Sequence, residues 1–194
     1  MRVSLIVALL LASPAFADPL PEVVKREELR HAVGFRVGGY GFRHAHGEHG
    51  GWTDCRMNGL GLYGQRGLVG PLFAEAAADV YFAHPHGEGE HEMDRLSGLV
   101  TVAGGVRTRP TARVVGYAQL GAGVELTRMR VGEAVREMAL PEGFLGVGGY
   151  LRAGRFQLGT HFRLHLMGHF PEEGALEPEA EAAAQVQFYV GYEL

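Results

Sequence analysis

Two-residue alternation, sustained over ten or more positions at a time, constrains this chain more than any other feature of it. Leu72, Ala74, Ala76, Ala78, Val80 and Phe82 share one face of an extended segment, and Glu75, Ala77, Asp79 and Tyr81 share the other. The pattern returns from Ala112, where Val114, Gly116, Ala118, Leu120, Ala122, Val124 and Leu126 alternate with Arg113, Tyr117, Gln119, Glu125 and Thr127. It returns again with Phe156, Leu158, Thr160, Phe162, Leu164 and Leu166 against Gln157, His161, Arg163 and His165, and with Val186, Phe188, Val190, Tyr192 and Leu194 against Gln185, Gln187, Tyr189 and Glu193. Side chains on a strand point to opposite faces in turn, so each segment predicts a strand with one greasy side. Shorter versions pass through Val33, Phe35 and Val37, through Leu60 and Leu62, through Val100, Val102 and Val106, and through Leu145, Val147 and Leu151. At Gly38-Gly39 the first of these shifts phase to Tyr40 and Phe42, which predicts a bulge or glycine kink. The sum is about eight strands with no helical period between them, so neighbours in sequence are expected to pair antiparallel. Interruptions fall roughly every 20 residues, against 8–12 in soluble sandwiches.

The polar faces decide where the greasy faces point. They mix Arg, Glu, Asp, Gln, Tyr and Gly, whereas a solvated face is rich in Lys and Glu; after the first residues Lys25 is the only lysine. A small barrel surrounded by lipid fills its interior with mutually pairing polar side chains. On this reading Arg36, Glu75, Asp79, Arg107, Arg113, Glu125, Arg152, Arg163 and Glu193 face inward as ion pairs and leave no open pore. The 30 glycines disfavour a helical protein, since each one inside a helix costs about 1 kcal/mol relative to Ala. Cys55 is the only cysteine, so no internal disulfide is possible. A net charge of −4 gives no case for nucleic-acid binding.

The chain begins MRVSLIVALLLASPAFA, with Arg2, an apolar stretch from Leu5 to Ala12 and a small-x-small site at Ala15-Phe16-Ala17. This reads as a cleaved secretory signal peptide over 1–17, followed by a polar periplasmic lead-in over 18–27 and a single barrel domain over 28–194. No later stretch is long and apolar enough for a spanning helix, so a membrane crossing requires a closed barrel. The connections alternate in length. Ala45–Trp52, His84–Asp94, Arg128–Glu142 and Phe170–Glu181 are long; Gln65–Gly70, Arg107–Thr111 and Gly154-Arg155 are short. Short periplasmic turns facing long external loops are the outer-membrane arrangement. Glu88, Glu90, Glu92, Glu172, Glu173, Glu177 and Glu179 fall in the long loops, and Arg66, Arg107, Arg109 and Arg155 at the short turns.

The signal peptide, the eight alternating segments, the Gly and aromatic content and the final strand Gln187-Phe188-Tyr189-Val190-Gly191-Tyr192-Glu193-Leu194 resemble the small outer-membrane β-barrel families of the OmpA, OmpX and OmpW kind. The likeness is architectural and spans nearly the whole mature chain. It implies an all-β, antiparallel, up-and-down transmembrane barrel in a Gram-negative outer membrane, inserted by the barrel-assembly machinery, bounded by outer-membrane lipid and monomeric. Members commonly end in an aromatic residue, usually Phe; here Leu194 is last, with Phe188 and Tyr192 upstream.

Candidate chemistry is sparse. His44, His46 and His49 lie in the first long loop, His84, His86 and His91 in the second, and His169 at the start of the last. In extended backbone the pairs His44/His46 and His84/His86 place two imidazoles on one side, suited to Zn²⁺ or Cu²⁺ with Glu88 or Glu90 completing the shell. The spacing matches no established zinc motif. Ser97 is the only serine after the leader, so a lipid-modifying hydrolase would have one possible nucleophile, with His165 or His169 as base. Gly146-Val147-Gly148-Gly149 and Gly121-Ala122-Gly123 raise the reading of a narrow transporter of small hydrophobic molecules, although glycine in barrels more often makes room for a large neighbour. A secreted or periplasmic lipocalin-like barrel, with its apolar face inward around a ligand, is the soluble alternative. The expectation is a non-catalytic outer-membrane barrel with a structural or surface-interaction role, its long acidic and His-containing loops being the functional surface.

Overall fold

The computed structural model describes residues 30–46, 51–83, 93–109, 111–131, 134–169 and 179–194. The signal peptide, the lead-in, His84 and His86 lie outside these residues. Eight strands carry the fold: β1 (His31–His46), β2 (Gly51–Gly67), β3 (Leu72–Ala83), β4 (Met93–Arg107), β5 (Val114–Val131), β6 (Ala134–Ala153), β7 (Phe156–His169) and β8 (Glu179–Glu193). Each pairs antiparallel with the next, and β8 returns to pair with β1, closing the barrel. Closure removes the sheet edges, so every strand finds hydrogen-bond partners without water.

The pairing fixes the barrel's dimensions. From Ala32 the partners run through Gln65, Glu75, Ala103, Gly121, Phe144, His165 and Ala183 and arrive back on β1 at Phe42, ten residues further on. Eight strands with that stagger require a tilt of about 40° and a backbone cylinder about 16 Å across. Because the offset is even, a residue that faces the lumen meets lumen-facing residues all the way round.

Burial follows the parity. On β3 exposed and buried residues alternate from Leu72 to Ala83. Leu62 and Leu120 are each 67% exposed and Phe188 64%, while Arg36, Glu125 and Arg163 are 0–1% exposed. The molecule is therefore greasy outside and charged inside. From Leu72 to Phe82, or from Phe156 to Leu166, the outward apolar band spans about 25 Å along the barrel axis, the height of a membrane's hydrocarbon layer.

Three expectations are corrected. β1 has no bulge at Gly38-Gly39: its register with β2 and β8 is unbroken, and Tyr40 lies on the lumen face with Arg36, 2% exposed. Two long connections are shorter than expected, because strand pairing continues through them. β1 and β2 pair out to His46 and Gly51, so His44 and His46 are strand positions, and β5 and β6 pair out to Val131 and Ala134. Arg113 faces solvent in the β4–β5 turn and does not enter the barrel. The turn bends the chain before strand alternation begins at Val114, so extending the inward phase back one step gave the wrong side.

Glycines on the lumen face accommodate bulk from the next strand. A Cβ on Gly148 would lie 2.5 Å from the Tyr117 hydroxyl and 2.7 Å from the Thr160 carbonyl, whereas nothing lies within 4 Å of one on Gly64. Gly148→Val is expected to destabilise the barrel by about 1–3 kcal/mol through overpacking. Gly64→Val should change stability by less than about 0.5 kcal/mol. Urea unfolding in lipid vesicles checks both, and equal costs would mean that close approach is not why Gly148 is glycine. Gly70 and Gly154 serve differently: their positive φ values of 59° and 64° turn the chain at the β2–β3 and β6–β7 ends.

Candidate functional site

The lumen is a stack of three packed layers. In the middle, Arg36 from β1 places its Nε 2.6 Å from Asp79 Oδ1, a second guanidinium nitrogen on Asp79 Oδ2, and Nη1 3.2 Å from Glu75 Oε1. Arg163, from the far wall on β7, also donates to Glu75 Oε1. Gln119 lies against Arg163, and with its amide oriented oxygen-first, as the two facing donors require, it accepts from Nε at 2.8 Å and Nη2 at 2.9 Å. Gln187 donates to Asp79 at 3.0 Å and Gln65 to Glu75 at 3.5 Å. Two cations and two anions thus cross-brace the barrel through its axis. Their charges cancel, which a low-dielectric interior demands.

Toward the end that carries the β1–β2 and β5–β6 connections, Glu125 accepts from Arg95 at 2.7 Å, Ser97 at 2.6 Å and Tyr40 at 3.0 Å, and Thr127 completes the group at 2.9 Å from the Ser97 hydroxyl. His165 Nδ1 lies 3.0 Å from Glu142 Oε2, its ring packed between Tyr40 and Phe144. Met57, Tyr81, Leu99 and Met167 fill the space around them. Toward the turn end, Tyr63, Phe73, Tyr117, Tyr150 and Tyr189 form an aromatic floor. Below it Glu193 accepts from Arg30 at 2.7 Å, Arg152 at 2.8 Å and Gln157 at 2.8 Å. The gap between Arg36, Tyr63, Glu75, Tyr117 and His161 is too narrow to seat a water molecule.

Of the nine residues assigned to the interior from sequence, the structure buries Arg36, Glu75, Asp79, Arg107, Glu125, Arg163 and Glu193, half-buries Arg152 and exposes Arg113. It adds Arg95 and Glu142, which sequence reasoning left at the margins of loops. Continuing the β4 period back from Val100 and the β6 period back from Leu145 is the signal that finds them. Ser97 is fully buried and bonded to Glu125 and Thr127; His165, also fully buried, is bonded to Glu142. The two are therefore engaged with different carboxylates. Among the described residues no three His, Cys, Asp or Glu side chains gather to hold a metal ion.

The two rims differ. At the turn end, Arg66, Arg109, Arg113 and Arg155 are exposed. At the opposite end the β5–β6 hairpin continues about 13 Å past Leu126, the last outward apolar residue of β5. There the outward face mixes Arg128, Arg130 and Glu137 with the exposed Val135, and Arg128 Nε lies 3.7 Å from Glu137 Oε1.

No protein-family model matches the chain, and no curated protein matches it in sequence. Solved structures do match in shape. Neisserial surface protein A superposes with a TM-score of 0.61 at 7% identity, over 85% of this chain and 97% of that one. Ail, the attachment invasion locus protein of Yersinia pestis, gives 0.55 at 12%, over 86% and 100%. The N-terminal β-barrel domain of Pseudomonas aeruginosa OprF gives 0.50 at 12%, over 84% and 97%. At these identities the likeness is one of fold, and it agrees with the closed eight-strand register and the inside-out burial. This chain has the fold of the small eight-stranded outer-membrane β-barrels.

Proposed function

We propose that this protein is exported with residues 1–17 removed, resides in the outer membrane as a monomer after insertion by the barrel-assembly machinery, and serves there as a non-catalytic structural and surface-interaction barrel. The observation that carries the reading is the crossing of the axis by Arg36, Asp79, Glu75 and Arg163, beside which the gap toward Tyr63, Tyr117 and His161 is too narrow for water. A lumen crossed in this way argues against an axial conduit for solutes. What remains to interact with the surroundings is the external end, where the β5–β6 hairpin stands clear of the apolar band. The names of two structural neighbours, a surface protein and an attachment protein, suit this reading.

Planar-bilayer recordings on the refolded mature chain are the test, and no resolvable conductance steps are expected. Steady ohmic steps would overturn the non-conducting reading. Cell fractionation tests the location: the protein should need detergent for extraction and migrate differently before and after boiling. Release by osmotic shock would favour the soluble lipocalin-like alternative.

A further inference from the structure

Among the described residues, the turn end of the barrel carries an excess of cations that the filled lumen does not use. Arg66 projects from the outward face of β2, in the same phase as Leu60 and Leu62. Arg109 and Arg113 are exposed in the β4–β5 turn, where Val114, 65% exposed, begins the apolar band. Arg155, in the β6–β7 turn, donates through Nη1 to the Tyr192 hydroxyl at 3.2 Å, and Tyr192 packs edge-on against Phe156 on the outer wall. These four guanidiniums therefore stand around the barrel beneath its apolar skirt, at the level of Leu72, Val106, Val114, Leu151 and Phe156. Among the described residues of the turns and strand ends here, the one acidic side chain is Glu193, which is turned inward and engaged by Arg30, Arg152 and Gln157.

Arginine at the edge of an apolar surface keeps its stem in hydrocarbon and its guanidinium at headgroup depth, where its fork matches a phosphodiester and its fixed charge favours a headgroup with no cation of its own to offset the phosphate. We infer that Arg66, Arg109, Arg113 and Arg155 form a selective annulus for anionic phospholipid headgroups of the periplasmic leaflet. This rests on the membrane reading above. The tyrosine–phenylalanine pair beside Arg155 belongs to the same boundary, because amphipathic rings settle where lipid meets water. A partner in the aqueous periplasm is less well served, since Arg66 and Arg155 face sideways along the lipid wall.

Native mass spectrometry of the refolded mature chain, offered equal amounts of phosphatidylglycerol and phosphatidylcholine in detergent, tests the inference. Retention of phosphatidylglycerol is expected to exceed that of phosphatidylcholine about fivefold or more, and to decline with added salt. The combined Arg66→Gln, Arg109→Gln, Arg113→Gln and Arg155→Gln variant should bring the ratio close to one, and the matching lysine variant should keep part of it. If the fourfold variant does not fold, as read by unchanged mobility on boiling, the pair Arg66→Gln/Arg155→Gln should still halve the preference. Arg56→Gln with Arg128→Gln, at the opposite rim, should leave it intact. Equal retention of the two lipids by the unaltered chain would overturn the annulus while leaving the membrane reading standing. So would a preference that survives the glutamine changes, or displacement of the lipid by soluble peptidoglycan fragments. A chain that stays in solution without detergent and retains neither lipid would remove the membrane reading itself.

Discussion

Glu75→Gln is expected to lower the barrel's unfolding free energy by about 3–5 kcal/mol, as breaking one side of a buried ion network does. Glu75 is the shared acceptor for Arg36 and Arg163, so its neutralisation leaves two buried guanidiniums facing Asp79 alone. Removing the pair together behaves differently. Glu75→Leu with Arg163→Met keeps the remaining Arg36 and Asp79 balanced and replaces two desolvated charges by apolar bulk, so most of the loss should be recovered. Urea titration in lipid vesicles, followed by mobility before and after boiling, gives the free energies of the unaltered chain, Glu75→Gln and the paired variant. If Glu75→Gln cost less than about 1 kcal/mol, the network would have to be hydrated, and the non-conducting reading would lose its physical basis.

The same network explains why alternation was the legible feature. A strand with lipid on one side must be apolar at every second position, and the lumen breaks that run before it becomes a helix-forming apolar stretch that would lodge in the inner membrane. Leu72 to Phe82 and Phe156 to Leu166 could therefore be read directly from the sequence, face by face. The signal lasts only as long as lipid marks one face. Past Leu126 the outward side of β5 becomes Arg128 and Arg130 while the alternate positions are Thr127, Met129 and Val131, so the apolar phase inverts and the strand reads as a loop although its pairing with β6 continues to Val131. Arg95 and Glu142 lie where the apolar rows of their own strands are broken by small residues, Gly98 before Val100 on β4 and Pro141 and Gly143 before Leu145 on β6. Tyr40 misled in another way: a tyrosine suits lipid interface or lumen equally, and the glycines before it, Gly38 and Gly39, carry no side chain to fix the phase. Which interior charges pair with which depends on the ten-residue stagger, which brings Arg163 of β7 to Glu75 of β3. Nothing local in the sequence encodes that meeting.

Leu120→Arg provides the sharpest discrimination between lipid and water outside the barrel. Leu120 lies midway along the outward apolar row that runs from Val114 to Leu126, and its side chain is 67% exposed, with the equally outward Leu145 of β6 as its cross-strand partner. In water an arginine there costs next to nothing, because a surface substitution away from any packed feature changes stability by less than about 0.5 kcal/mol. In the centre of a bilayer the charge must be dragged from water, and the cost for a lipid-facing arginine on a barrel is about 2–4 kcal/mol. Val114→Arg, at the turn end of the same row, should cost only about 0–1 kcal/mol, because its guanidinium reaches the headgroups beside Arg113. The depth dependence is the diagnostic quantity: a fold defect would penalise both sites, and a solvated exterior neither. Urea unfolding of the two variants in vesicles measures it, and equal, small costs at both positions would place this greasy wall somewhere other than in lipid.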